Sequence, residues 1–305
     1  MFLPRPYGRE LAVGQRSELR VLDVDGGASR LVYSTEFLIE APNWMPDGKT
    51  LVFNAGGEIW KLSLSGGEPQ RIDTGPLQDL NNDHVVSPDG RFLYLSSDDG
   101  HLYRVPVAGG NPVRISNAHA APFHYYLHGI SPDGRELAFV ALEKDGTRTR
   151  ANIFTIPADG GLDRRLTDMA EPCDGPEFAP DGKWIYFNSE RAARRPGHAQ
   201  IFRMARDGSR LSQLTSDERV NWFPHISPDG KNIVYLSYPP DTTGHPADCD
   251  VILRLMQISG GGKRDLARFN GGQGTINVNS WSPDSRSIAF VMFPFCTAPS
   301  CLRLP

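Results

Sequence analysis

Cysteine is scarce in this 305-residue chain, and its four copies, Cys173, Cys249, Cys296 and Cys301, include no C-x-x-C pair. A zinc ribbon is therefore not expected. Cys296 and Cys301 would close a short disulfide or stay as two reduced thiols; the spacing leaves both open, and the redox compartment with them. No run approaches the roughly 18 consecutive apolar residues of a membrane-spanning helix. The opening Met1-Phe2-Leu3-Pro4-Arg5-Pro6 lacks the apolar centre of a signal peptide. As it stands the sequence points to a cytoplasmic protein, or to a periplasmic one whose N-terminus has been processed, with no membrane insertion. A net charge of −4 leaves no basic footprint for nucleic acid. Helical periodicity is missing. So are a G-x-S-x-G elbow, a G-x-x-x-x-G-K phosphate cradle and a dinucleotide fingerprint.

Turn residues, by contrast, are plentiful and regularly placed. Pro-Asp-Gly recurs with Asp at positions 47, 89, 133, 181 and 229, and Pro283-Asp284-Ser285 is a sixth near copy. Each turn precedes a short apolar run, such as Phe92-Leu93-Tyr94-Leu95 or Trp184-Ile185-Tyr186-Phe187. Proline sets φ for the first turn position and glycine takes the positive φ that closes it. In the second unit, Asp98-Asp99-Gly100 and Ala108-Gly109-Gly110 supply two further turns, making four strands per unit. Four-stranded units at this period imply an all-β fold, a six-bladed β-propeller of antiparallel blades. The sixth unit has residues for two inner strands only. Glu18–Val24 and Arg30–Tyr33 read as its two outer strands, so both chain ends share one blade and no sheet edge is left open. The expectation is one domain over 1–305, with blade repeats at about 17–293.

The x-S-P-D-G-x-x-(apolar run) unit resembles the repeat of TolB-type propellers, over roughly residues 17 to 293. That resemblance implies six blades and a role in protein interaction; the extra N-terminal domain of TolB has no counterpart here. Several segments, including Asn82-Asp83-His84, His124-Tyr125-Tyr126-Leu127-His128 and Gly271-Gly272-Gln273-Gly274-Thr275-Ile276-Asn277, are similar to those of a TolB-like group described as carbohydrate-related. The arrangement also resembles, distantly, oligogalacturonate lyases, whose axial His and Gln hold a divalent metal near an acidic sugar.

The residues before each turn enter the innermost strand near the axis. The last of them is apolar in all six units: Trp44, Val86, Ile130, Phe178, Ile226 and Trp281. Just upstream, His84, His128, Glu177 and His225 break the apolar rule in four successive units. These four are the candidate catalytic residues, with the three histidines as candidate ligands of a divalent metal. The alternative is that each histidine fixes the register of a neighbouring blade. Regular strand alternation would put the two phases on opposite faces, unless Pro176 and Pro224 make the strands irregular. Candidate substrate-binding residues are Asn82, Asp83, Tyr126, Asp174, Asn188, Arg191, Trp222, His245, Gln273 and Asn277. Tyr126 and Trp222 would stack on sugar faces or belong to the blade core. Long second-to-third-strand connections at 142–150, 188–198 and 238–248 would wall the same face. Arg148, Arg150, Arg191, Arg194 and Arg195 would read an anionic group there, or be solvated charge.

The resulting expectation is a polar axial pocket that binds and processes a saccharide, acidic sugars included, by lyase or hydrolase chemistry with or without a metal. A second reading is a TolB-like interaction module whose partner protein or peptide occupies the same face. A deep funnel would favour the small ligand and a broad rim the peptide.

Overall fold

The computed structural model describes residues 9–295, so Cys296 and Cys301 lie outside the described residues. Every regular element among those residues is a strand. The chain opens with β1 (Ser17–Asp23) and β2 (Ser29–Thr35). Blade one follows as β3 (Glu40–Trp44), β4 (Thr50–Ala55), β5 (Glu58–Ser63) and β6 (Gln70–Arg71). Blade two is β7 (Leu80–Val86), β8 (Phe92–Ser97), β9 (Leu102–Pro106) and β10 (Val113–Arg114). Blade three is β11 (Phe123–Ile130), β12 (Glu136–Asp145), β13 (Arg148–Pro157) and β14 (Arg164–Arg165). Blade four is β15 (Cys173–Phe178), β16 (Trp184–Ser189), β17 (Gln200–Ala205) and β18 (Ser212–Gln213). Blade five is β19 (Val220–Ile226), β20 (Asn232–Tyr238), β21 (Cys249–Gln257) and β22 (Arg264–Gly271).

The sixth blade is shared by the chain ends, as the missing strands imply. β23 (Ser287–Met292) pairs antiparallel with β1, which pairs with β2. Its innermost position is taken by an irregular segment, 276–281, joined to β23 through the bridge Trp281–Ile288. The repeat turn explains why each hairpin forms where it does. Ser87 Oγ donates to Asp89 Oδ1 at 2.6 Å, which in turn accepts from the Arg91 amide at 3.0 Å. Gly90 stands at φ 69°. In the sixth copy Ser285 occupies the same left-handed position at φ 63° without the freedom of glycine.

Six apolar clusters hold the ring together, each bridging neighbouring blades. Tyr94 and Leu102 of blade two pack with Tyr125 and Phe139 of blade three, for example. Leu19, Val21 and Ala289 of the shared blade pack with Trp44 and Phe53 of blade one, closing the circle. Each large side chain fully buried in such a seam contributes about 1.5–3 kcal/mol.

Two details position the site. The innermost strands β3, β7, β11, β15 and β19 each carry a register shift, between Glu40 and Asn43, Leu80 and His84, Leu127 and Gly129, Asp174 and Glu177, and Trp222 and His225. Such a shift re-aims the side chains on either side of it. Second, the expected long loop at 142–150 is a β-hairpin: β12 and β13 stay paired out to Asp145–Arg148, turning at Gly146 with φ 62°.

Candidate functional site

Two cavities share the ring axis. The upper one lies where the chain enters the innermost strands and encloses about 450 Å³. The lower one encloses about 350 Å³ among the repeat turns, with Pro46, Pro88, Pro132, Pro180, Pro228 and Pro283 all in its wall. His128 lines both and forms the partition.

His128 owes that place to the β11 irregularity. Leu127 pairs with Phe139 and Gly129 with Ala138, so His128 is the extra residue and turns out of the ladder. Gly129 is required beside it, because a Cβ there would meet the Pro176 carbonyl oxygen at 2.7 Å. The His128 ring reaches Asp174 Oδ1 with Nε2 at 3.1 Å and the Asn277 carbonyl oxygen with Nδ1 at 3.2 Å. Burial pushes the His128 imidazolium down, but Asp83, Asp174 and the Asn277 carbonyl outweigh it and raise it to about 9. Burial works against the Asp174 carboxylate, but the hydrogen bond and charge of His128, with His245 and the Gly175 amide, hold it below the usual carboxylate range. Asp83 is different. Burial raises it to about 7, opposed by His128 and reinforced by the nearby carboxylates Asp174 and Glu40.

The remaining upper lining is polar with apolar faces. Asn81, Asn82, Gln273 and Asn277 bring side-chain amides; Tyr126, Phe223, Val140 and Leu142 bring apolar surface. Asn277 Nδ2 donates to Gln273 Oε1 at 3.0 Å, and Gly274 donates its amide to Asn277 Oδ1 at 2.7 Å. His245 comes from the 238–248 connection, its Nδ1 2.6 Å from Gln273 Oε1 and its pKa lowered by burial. Tyr126 stacks on His124 at 4.5 Å between ring centres, and burial raises its hydroxyl pKa. Phe223 holds a strained φ of 54°, its amide donating to Asn188 Oδ1 at 3.1 Å. That conformation presents its ring to His128 and His245. Arg9, Asp174 and His245 form the rim, with side chains 17%, 22% and 30% exposed.

Of the expected substrate-binding residues, the structure brings Asn82, Asp83, Tyr126, Asp174, His245, Gln273 and Asn277 into this one cavity. Asn188 instead braces Phe223, and Trp222 packs under His245 with ring centres 4.5 Å apart. Arg191 is exposed and lies over Phe202. The other loop arginines are also turned away: Arg150 pairs with Asp168, Arg194 with Glu218 and Arg195 with Asp241. They do not form an anion clamp over the axis. Arg9, Glu40, Asn81 and Phe223 also line the cavity. Asn81 and Phe223 are next to residues the repeat pattern marks, and Glu40 lies just upstream of the marked window. Arg9 precedes the repeats and carries no local signal.

The four-residue catalytic group does not assemble. His84 pairs in register with Leu95, past the β7 irregularity, and is wholly buried away from both cavities. Burial lowers its pKa to about 4. Glu177 and His225 belong to the lower level. Glu177 Oε2 lies 2.6 Å from His225 Nδ1, while its Oε1 accepts from the Ile226 amide at 2.9 Å and from Asn279 Nδ2 at 2.6 Å. His225 Nε2 is 2.5 Å from the Ile276 carbonyl oxygen. This network ties blades four, five and six together, which is the register-fixing alternative. The three histidines therefore do not fit a shared metal ion, and among the described residues no group of three or more His, Cys, Asp or Glu side chains is placed to hold one.

The comparisons with known proteins agree with this architecture. The family model described as the TolB beta propeller domain matches residues 119–251. An uncharacterised protein of Agrobacterium fabrum is 40% identical over 285 residues, covering 91% of this chain and 92% of that one. A solved structure from Agrobacterium tumefaciens, named as a TolB candidate, superposes with a TM-score of 0.85 at 38% identity, covering 92% of this chain and 99% of that one. An oligogalacturonate lyase in complex with manganese shares the fold, with a TM-score of 0.57 at 14% identity over 88% of this chain and 75% of that one. With its six blades, its shared closing blade and a relative matched over nearly its whole length, the chain belongs to the TolB-like β-propeller family.

Proposed function

We propose that this propeller binds a small polyhydroxylated ligand, a saccharide of one or two rings, in its upper axial cavity. The carrying observation is the lining: four side-chain amides and the carboxylates of Glu40, Asp83 and Asp174 converge on about 450 Å³ beside the rings of Tyr126 and Phe223. Amides and carboxylates pair with neighbouring hydroxyls, while aromatic faces cover the apolar side of a sugar ring. The volume is in the usual range for small-molecule sites. His128 floors the cavity, which favours a compact ligand over a threaded peptide and so favours this reading over the interaction module.

The lining also narrows the sugar. Three carboxylates face Arg9 and His128, and the loop arginines are elsewhere. Such a wall repels a uronate. The likeness to the manganese-bound lyase supports the fold alone. If the bound sugar is processed, Asp83 is the acid–base group, because burial raises its carboxyl to about 7 within the cavity, and the His128 imidazolium stabilises developing negative charge.

A thermal-shift and calorimetric screen of mono- and disaccharides tests this. We expect a neutral or amino sugar to stabilise the protein and Asn277→Ala to abolish the effect. Sugar binding that Asn277→Ala and Asp83→Asn leave intact would overturn the assignment, as would stabilisation by peptides alone.

A further inference from the structure

We propose that the ligand of the upper cavity carries a primary ammonium group, an amino sugar being the class that joins this to the hydroxyls the amides would read. The inference rests on the saccharide reading of the same cavity and adds the charge of the ligand.

Asp174 is matched, since His128 Nε2 lies 3.1 Å from its Oδ1. Arg9 is drawn outward, with Nη2 2.9 Å from Asp248 Oδ1 and Nη1 3.9 Å from Glu40 Oε1. Asp83 is only 5% exposed, and the cation that favours its ionised form is His128, which is already paired with Asp174. Glu40 and Asp174 disfavour its charge while His128 favours it, and in the lining the three carboxylates outnumber the two cations Arg9 and His128. A cation brought by a ligand would offset that excess. Among the described residues these carboxylates are not grouped to hold a metal ion, whereas an ammonium, with three N–H donors, suits oxygen acceptors spread around it.

A second, independent feature points to an oxygen-bearing ligand. Asn81 is 8% exposed and lines the cavity, yet its Nδ2 has no hydrogen-bond partner, although its Oδ1 accepts from the Asp83 amide at 2.9 Å. A buried amide donor left unmet is costly. A ligand hydroxyl one or two bonds from the ammonium would satisfy it. The cavity thus offers an acceptor for a cation and, two residues away on the same strand, a donor for an oxygen.

Calorimetry at pH 7 with glucosamine, N-acetylglucosamine, glucose and glucuronate tests the inference. Glucosamine should bind at least about tenfold more tightly than its N-acetylated form or glucose, with glucuronate weakest. Asp83→Asn should erase the preference while retaining weak binding of glucose. Glu40→Gln should reduce it, which covers the case of Asp83→Asn failing to fold. Equal binding of glucosamine and glucose, still dependent on Asn277, would overturn the ammonium and leave the sugar site standing. Tightest binding by glucuronate would also overturn it. No binding of any of the four would overturn both readings.

Discussion

His128 Nδ1 lies 3.2 Å from the carbonyl oxygen of Asn277, joining blade three to blade six across the axis of the ring. That carbonyl belongs to the irregular innermost segment of the sixth blade rather than to a strand ladder. One side chain therefore braces opposite blades, separates the two cavities and compensates Asp174. His128→Ala should cost about 3 kcal/mol, the range for removing one partner of a buried charged pair. Urea denaturation measures it. A loss below about 1 kcal/mol would mean that Asp174 does not depend on His128.

Stability should depend on pH through three buried groups of known sign. His128 is raised from 6.5 to about 9, so its contribution is complete below pH 6.5 and is lost as pH rises to 9. His84 is lowered from 6.5 to about 4, so its contribution is complete above pH 6.5 and is lost as pH falls to 4. Asp83, raised from 3.8 to about 7, opposes His84 in that window, because its ionised form costs the folded state more as pH climbs. His84→Leu should therefore gain on the order of 2 kcal/mol over wild type near pH 4 compared with pH 7. Urea midpoints across pH check this, and a parallel pH profile for the two proteins would contradict it.

The Glu177–His225 pair should behave as a structural lock. Glu177→Ala leaves His225 Nδ1 and the Ile226 amide without their acceptor and should cost about 3 kcal/mol. A double-mutant cycle with His225→Ala should give a coupling above about 1 kcal/mol. Sugar affinity in the folded fraction of Glu177→Gln should stay within about twofold of wild type. A large loss of affinity at unchanged stability would place Glu177 in the ligand site instead.

The loop arginines should be dispensable. Arg191→Ala, Arg150→Ala and Arg194→Ala are expected within about 0.5 kcal/mol of wild type in stability, as for exposed charges, and without effect on ligand binding. Arg9→Ala should differ by strengthening the binding of an ammonium-bearing ligand, since it removes a positive charge from the cavity rim. Calorimetry on the four variants separates the two classes.

Gly274 should tolerate no side chain. Its φ is +89° and a Cβ would meet Glu40 Oε1 at 2.5 Å. Gly274→Ala should cost about 1–3 kcal/mol and displace the Asn277 side chain that its amide anchors. Unchanged stability and sugar binding would show that the 272–277 turn is not built to that tolerance.

The amino-acid sequence by itself determined the scaffold. Six Ser/Ala/Met-Pro-Asp-Gly/Ser turns and the apolar runs after them are local signals: proline and glycine act on their own φ, and strand burial follows from a handful of neighbours. The incomplete sixth unit even foretold the shared blade. Tertiary structure decided which polar residues meet. His84 and His128 stand at the same distance from their serines, yet one is sealed between blades and the other reaches the axis. The difference lies in the register shifts: in β11 the single extra residue is His128 itself, whereas in β7 the shift is of two residues and is complete before His84. Arg9 joins the cavity from outside the repeats, and Asn277 meets His128 from 149 residues away. Contacts of that separation depend on ring closure, which no local spacing encodes.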